Sequence, residues 1–276
     1  MADLVSRIYS NFRGVDFRGE EINLIRSPDS LNVWKDYKET ESIRTRPEME
    51  LHYEYAAPVY GVFFYKDEML VHSGSKLYKG DTVLYSDLRE IVSSAFVYED
   101  KWYFKDGKHY LAYDGETIAP VEGYVPTTTI ARKPMGGGTK FEEVNMLSPR
   151  RKNSFLADGG SFDFFLDVVN IDPDFLPIVT VDGKVVDPVE YNVDYADGRI
   201  QFISRAPDAP LTAGQDNIVV EFKKAVPQYM NGILECTLLQ VFDNRVFFSG
   251  NADFPNVIWH CSLNDPTYCS DLDYYR

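Results

Sequence analysis

The sequence predicts an all-β fold, and three observations support this prediction. Tyr and Phe, which favour strands, are the main aromatic residues, with 19 and 18 copies in 276 residues. Short apolar runs alternate with tight turns that contain Asp-Gly, Gly-Asp or charged pairs. One pattern of strands and turns also occurs more than once along the chain. Antiparallel sheets explain these observations better than helices do.

A repeated unit appears twice in the first half of the chain. Residues 64–82 contain an apolar strand, a charged turn, a second strand, a Gly turn and a third strand, and residues 97–117 repeat this order. Tyr98 follows Tyr65 by 33 positions. A repeat of roughly 35–45 residues built from strands and tight turns is typical of a propeller blade. The sequence therefore predicts a partial β-propeller made of repeated antiparallel hairpin blades.

A third copy lies near the end of the chain at Val241–Gly250, where Phe242 takes the place of Tyr98. Between the second and third copies, short β-branched strands joined by Asp-Gly turns predict a small β-sandwich, inserted into the propeller. We expect four regions: an N-terminal segment with the first blades, a basic Gly-rich linker, the inserted β-sandwich, and a return to a propeller blade in a truncated chain. These regions span residues 1–135, 136–155, 156–228 and 229–276.

The first 50 residues are polar and charged and contain one predicted helix. Ser27 fits the N-cap, Pro28 fits the first helical position, and the segment ends near Trp34. We expect Trp34 to anchor this segment to the β core, and the alternative is an exposed anchor for a partner protein. Residues 43–47 predict a short edge strand that a proline closes.

The chain carries a net charge of −15, which argues against functions that depend on a basic surface. Proteins that read duplex DNA use Lys and Arg to replace counterions, so sequence-specific nucleic-acid binding is not expected. No apolar run approaches the ~20 residues of a membrane span, and the N-terminus lacks the apolar core of a signal peptide. We therefore expect no membrane partner.

Basic residues are concentrated around the predicted linker. A Gly-rich segment there contains Thr and Lys, but its spacing does not match a phosphate-binding loop. A domain linker is the favoured interpretation, and the alternative is a local patch that binds an acidic partner. Together with Trp34, the candidate interaction residues are Arg132, Lys133, Arg150, Arg151 and Lys152.

No residue pattern predicts an active site, a metal site or a cofactor. The four histidines lack the spacing of a zinc site or a catalytic triad. The acidic residues between positions 163 and 174 lack the frame of a calcium loop and are expected to be solvated. The three cysteines form no Cys-x-x-Cys pair and are expected to be reduced thiols. We predict that the protein is not an enzyme.

The blade segments resemble those of a known phage protein family. Residues 71–80 and 110–118 are similar to segments of the packaged-DNA stabilisation proteins of tailed phages, which are also described as tail-hub or head–tail connector propellers. Residues 26–34, 126–134 and 249–256 also resemble this family. The similarity covers the two ends of the chain and leaves out the predicted sandwich.

The resemblance implies a structural virion protein of a phage or prophage tail or neck. Such a protein is made in the bacterial host cytoplasm and becomes part of the virion, where it helps to retain packaged DNA. The expected partners are portal, adaptor and tail components, and self-association into a homo-oligomer is left open. The inserted sandwich and the end of the chain directly after the third hairpin depart from the family.

Two alternatives remain open. A receptor- or carbohydrate-binding tail protein is the first, because flat aromatic side chains such as Trp102 and Trp259 stack on sugar rings. The second is a polysaccharide-degrading tail enzyme that uses two carboxylates in a cleft. The resemblance to the phage family implies no catalytic residues in this sequence. We expect the hairpins to form an assembly surface, with the blades held together by Met69, Leu70, Trp102 and Tyr103.

Overall fold

The computed structural model describes residues 33–35, 43–45, 50–225 and 229–276. The chain divides into two compact units, Met1–Glu54 and Tyr55–Arg276. Among the described residues, strands dominate, and helical structure is limited to one short α-helix and one 3-10 turn. The all-β prediction is therefore confirmed.

The first unit contributes two short antiparallel strands, β1 (Val33–Lys35) and β2 (Ile43–Thr45). The predicted edge strand is confirmed in β2. The predicted helix is wrong at its C-terminal end, because β1 is extended, and its start at Ser27 lies outside the described residues. Trp34 lies on β1, but its side chain is outside the part of the chain that the structure describes.

Two antiparallel sheets of four strands each begin the second unit. In both sheets the strands lie side by side in chain order. Sheet 1 contains β3 (Val59–Tyr65), β4 (Glu68–Ser73), β5 (Lys76–Lys79) and β6 (Thr82–Ser86). Sheet 2 contains β7 (Ser94–Tyr98), β8 (Lys101–Lys105), β9 (Tyr110–Tyr113) and β10 (Ile118–Pro120).

Sheet 3 lies at the end of the chain and has the same strand order. In each of the three sheets, the first residue of the opening turn has a positive φ: 52° at Lys66, 50° at Glu99 and 48° at Asp243. This conformation is typical of two-residue turns whose twist matches that of the flanking strands. The third hairpin predicted from the sequence is thus confirmed. Sheet 3 contains β20 (Leu238–Phe242), β21 (Arg245–Ser249), β22 (Ile258–His260) and β23 (Tyr274–Tyr275).

Sheets 1, 2 and 3 are stacked face to face through two apolar cores. Neighbouring residues of β8 point to opposite faces of sheet 2, so Trp102 packs toward sheet 1 and Tyr103 packs toward sheet 3. Leu70 joins the core between sheets 1 and 2. Three of the four residues expected to hold the blades are therefore core residues. Met69 is the exception, since it lies opposite Phe64 on the outer face of sheet 1.

A second β structure lies between sheets 2 and 3 in the sequence. Two layers share a core that includes Phe155, Phe164, Ile200 and Phe222, which gives a sandwich-like arrangement. Sheet 4 has six strands in the spatial order β12 (Thr139–Lys140), β11 (Thr127–Arg132), β13 (Arg150–Phe155), β19 (Ile218–Lys223), β15 (Ile178–Val181) and β16 (Lys184–Val185). Sheet 5 has three strands in the order β14 (Asp163–Phe165), β18 (Arg199–Phe202) and β17 (Tyr191–Asp194), and the 3-10 turn Pro188–Glu190 precedes β17.

Residues 136–155 are not a linker throughout, because β13 lies in the interior of sheet 4. It pairs parallel with β11 and antiparallel with β19. Its polar sequence does not signal a buried strand, because its buried positions include Arg151 and Asn153. Sheet 4 begins at Thr127, ahead of the sandwich boundary predicted at residue 156.

The helix α1 (Tyr229–Leu234) is short, with six residues. It connects the sandwich-like part to sheet 3. Among the residues that the structure describes, no helix has the length and apolar character needed to cross a bilayer.

Two of the three cysteines are paired. Cys261 and Cys269 form a disulfide beside β22, so the expectation of three reduced thiols is wrong for this pair. Cys236 is a free thiol that is fully buried, and burial raises its pKa to about 12. Because the thiolate is the reactive form, Cys236 is an unreactive core residue at neutral pH.

Gly198 occupies a position that requires glycine. Its φ is +62°, and a Cβ atom there would lie 2.1 Å from the carbonyl oxygen of Val168. We predict that Gly198→Ala lowers the free energy of unfolding by roughly 2 kcal/mol or more, because strain and a steric clash add. Urea denaturation measures this loss.

Gly183→Ala is the matched control for that substitution. Gly183 also has a positive φ, +76°, but a Cβ atom there would have no neighbour within 4 Å. Its cost should be limited to the roughly 1 kcal/mol of left-handed backbone strain. Equal losses for the two variants would contradict the role assigned to the Val168 contact.

Candidate interaction site

Arg132 lies at the end of β11 and is 8% exposed. Its guanidinium donates from Nε to the carbonyl of Phe165 at 3.1 Å, from Nη1 to Gly137 at 2.7 Å and from Nη2 to Leu166 at 2.9 Å. Burial lowers the pKa of the group from its usual value. Arg132 therefore ties β11 to the end of β14, and the geometry gives it a structural role.

Lys133 lies on an exposed turn directly after β11. The backbone of this turn is closed by two hydrogen bonds between Lys133 and Gly136, at 3.2 and 2.9 Å. Met135, at the tip of the turn, is 76% exposed. Of the predicted basic residues in the second unit, Lys133 is the one that the fold presents most openly to solvent.

The basic run on β13 is divided between the two faces of sheet 4. Arg150 and Lys152 share a face with Glu221, which accepts from Arg150 Nε at 2.6 Å and lies 3.9 Å from Lys152 Nζ. Arg150 also pairs with Glu122 at 3.2 Å. Arg151 points to the opposite face and is 8% exposed. The charges of this run are therefore engaged largely within the fold.

The predicted basic residues do not form one continuous patch. In the parallel pairing of β11 with β13, Lys152 lies beside Thr127 at the start of β11, whereas Arg132 lies beside Phe155 at its end. Lys133 follows Arg132 and so lies at that same end. The structure thus brings Arg132 close to Lys133 and keeps the β13 residues apart from them.

The acidic residues expected to be solvated are mostly engaged in the sandwich-like part. Asp163 contacts Gln201 at 3.0 Å, and Asp172 forms an ion pair with Lys223 at 3.0 Å. This hydrogen-bonded ion pair lowers the pKa of the Asp172 carboxyl. Among the described residues, no group of three or more His, Cys, Asp or Glu side chains has an arrangement that could hold a metal ion.

The structure brings together one Ser–His pair that spacing does not reveal. His72 is fully buried, and its Nδ1 lies 2.9 Å from the hydroxyl of Ser93, which is 7% exposed. The rings of Tyr60 and Phe104 flank the imidazole. Burial lowers the pKa of His72, so the neutral form is favoured. A substrate has no access to a pair this deeply enclosed, and we assign it a structural role between sheets 1 and 2.

Lys105 is a second buried ionisable group, with 1% exposure. Its ammonium donates to the carbonyl of Leu234 at the end of α1, and so fixes this helix to sheet 2. Burial lowers its pKa to about 8. The neighbouring Asp106 is equally buried, and its carboxylate accepts from the backbone of Arg89 and His109.

A cleft of about 220 Å³ lies between the opening turn of sheet 2 and a loop of sheet 3. The hydroxyl of Tyr98 donates to the carbonyl of Asn264 at 2.6 Å across this cleft, and Tyr110 donates to Pro266 below it at 3.1 Å. Aromatic rings and carboxyl groups face the same space. The lining residues are Tyr98, Glu99, Asp100, Lys101, Tyr103, Asn264, Asp265, Pro266 and Thr267.

No protein-family model matches the chain, and no curated protein is similar to it. The resemblance to phage connector proteins therefore depends on the quoted sequence segments alone.

The buried ammonium of Lys105 predicts a pH-dependent stability. Below pH 8 the charge is present in both states, and burial penalises the folded state. Above pH 8 the folded state loses the proton, whereas the unfolded state keeps it up to the ordinary lysine pKa of 10.5, so stability rises with pH in this window. Relative to Lys105→Met, we expect the wild-type free energy of unfolding to rise by about 1.4 kcal/mol between pH 7 and pH 9.

Chemical denaturation across this pH range measures the difference. Lys101→Met is the matched control, because Lys101 is an exposed lysine on the same strand. The control should follow the wild-type pH profile. Parallel profiles for the wild type and Lys105→Met would show that the buried ammonium does not titrate in this range.

Proposed function

We propose that the protein is a structural component of a tailed phage or prophage particle, located in the tail or neck and acting through protein–protein contacts. One observation carries this proposal. Sheets 1, 2 and 3 have the same strand order, stack face to face, and are interrupted in sequence by the sandwich-like part. That is the arrangement expected of propeller blades with an inserted β-sandwich. The resemblance to packaged-DNA stabilisation proteins supports the same assignment.

The use of the buried ionisable groups also favours a structural role. The hydrogen bonds of His72, Lys105 and Asp106 are directed to neighbouring strands, turns and helix ends. Each group therefore helps to position one element against another. This pattern is typical of a scaffold whose polar interior serves the fold.

Portal, adaptor and other tail proteins are the proposed partners. The strands β6 and β10 each pair with one neighbour within the described chain, so each leaves one backbone edge available. Such edges accept an added strand from another protein, with backbone hydrogen bonds that do not depend on the sequence of the partner. This mode of contact suits a connector that joins several different virion proteins.

The test is the protein content of purified particles from the host. We expect the chain to copurify with portal and tail proteins at a constant stoichiometry through a density gradient, and immunogold labelling to mark the tail or neck. A capsid protein and an abundant host cytoplasmic enzyme serve as positive and negative controls. Recovery no higher than that of the host enzyme would contradict the proposal.

Carbohydrate binding is a second candidate function, favoured by the cleft between sheets 2 and 3. The cleft combines the aromatic rings of Tyr98 and Tyr103 with the carboxyl groups of Glu99, Asp100 and Asp265. Aromatic faces cover the apolar side of a sugar ring, and carboxylates accept its hydroxyl protons. The polysaccharide-degrading enzyme would use the same carboxyl groups.

A glycan array separates these possibilities. If the cleft binds sugars, Tyr98→Ala should weaken binding by roughly tenfold or more, because the stacking surface is removed. Tyr124→Ala is the control, since Tyr124 is 41% exposed and does not line this cleft. A decrease in the chain length of a bound polysaccharide would favour the hypothesis of a polysaccharide-degrading enzyme. Absence of binding to all glycans would remove both carbohydrate hypotheses and leave the connector role.

A further inference from the structure

The stack of sheets 1, 2 and 3 ends in two apolar faces. On sheet 1 the outer face carries Val62 and Phe64, which are 52% and 69% exposed. Residues 55–58 cover the neighbouring part of this face, where Ser73 donates to the carbonyl of Ala57. On sheet 3 the outer face carries Leu238, Phe242 and Tyr275, which are 62%, 71% and 60% exposed, together with the polar Gln240 and Arg245. Large apolar side chains exposed together on one sheet face mark a site of interaction with another protein.

The contact between sheets 1 and 2 defines which faces fit together. Phe63 and Tyr65 share one face of β3, and the ring of Phe63 lies 5.6 Å from that of Trp102 on β8. The hydroxyl of Tyr65 donates to the backbone carbonyl of Asp100 in the opening turn of sheet 2. The end of the first strand thus packs against the opening turn and the second strand of the next sheet.

The contact between sheets 2 and 3 repeats this geometry one step further along the stack. Phe96 and Tyr98 share one face of β7 and pack in the core that contains Val241 and Val246 of sheet 3. The hydroxyl of Tyr98 donates to the backbone carbonyl of Asn264, in the loop after β22, and the backbone of Asn264 in turn donates to Asn244 in the opening turn of sheet 3. Tyr98 therefore reaches the end of the next sheet as Tyr65 does, but through a second loop.

The outer faces of sheets 1 and 3 carry the positions that form the two sides of this contact. Phe242 is the last residue of β20 and corresponds to Tyr65 and Tyr98. Met69, the second residue of β4 and a neighbour of Phe64 on the outer face of sheet 1, corresponds to Trp102. The face of sheet 3 thus corresponds to one side of the internal contacts, and the face of sheet 1 corresponds to the other.

We propose that sheet 3 of one copy stacks on sheet 1 of a second copy, head to tail, so that the internal stacking continues from chain to chain. The contact is heterologous, because it joins two different faces, and it does not join sheet 3 to sheet 3. It follows from the repetition of the sheets, and it does not depend on a role in a phage particle. The occupant of the apolar faces is therefore another copy of this chain.

The test is the oligomeric state of the full chain, by sedimentation velocity over a range of micromolar concentrations. We expect the wild type to form dimers or larger assemblies. Phe64→Asp and Phe242→Asp should each raise the dissociation constant by roughly 100-fold, because each places a charge in an apolar contact. Leu211→Asp should associate as the wild type does, since Leu211 is fully exposed and outside both faces.

Mixing the two variants distinguishes head-to-tail stacking from other contacts. Phe64→Asp keeps the sheet 3 face, and Phe242→Asp keeps the sheet 1 face, so the two together should form a one-to-one pair that neither forms alone. Unchanged thermal unfolding midpoints show that the variants remain folded. A monomeric wild type, or association of either variant by itself as strong as that of the wild type, would overturn the proposal.

Discussion

The packing of aromatic side chains between stacked sheets is the constraint on which the second unit depends. Sheet 2 is covered on both faces, so β8 carries large apolar residues at consecutive positions instead of alternating with polar ones. Trp102 is 1% exposed and contacts Phe63 of sheet 1, while Tyr103 stacks on Phe96 and faces sheet 3. Removal of either ring would open a cavity in one of the two sheet contacts.

The interior of sheet 4 is held together by polar side chains, in contrast to the apolar packing between sheets 1, 2 and 3. Asn153 is fully buried, donates to the hydroxyl of Thr128 and accepts from the backbone of Asp167, and Thr128 in turn donates to the Asp167 carboxylate. Because these groups hydrogen-bond to one another, the desolvation cost of a polar strand in the interior of the sheet is reduced. Arg132 extends this pattern to the edge of β14. The basic residues near the predicted linker thus have a mainly structural role.

Sequence patterns predict the three stacked sheets because strand alternation and turn chemistry act locally. They do not predict β13, whose buried positions are polar. Nor do they predict the separation of Arg132 from Arg150, because only the parallel pairing of β11 with β13 sets these residues at opposite ends. The contact between His72 and Ser93 has no local signal, since the two residues are 21 positions apart in the sequence. Features that depend on tertiary pairing cannot be predicted from the pattern of a single sequence segment.

Sheets 4 and 5 branch from the chain at a single corner. The backbone of Lys152 donates to Pro126 at the entry, and the backbone of Lys224 donates to Pro149 at the exit, so one strand separates the two chain ends. Two strand spacings amount to roughly 10 Å, a gap that a few residues can bridge. The insert also returns to sheet 3, because Met146 and Leu147, between β12 and β13, lie in the core that contains Phe248 and Trp259. A different domain in this place would therefore have to fill that core again before sheet 3 could keep its position.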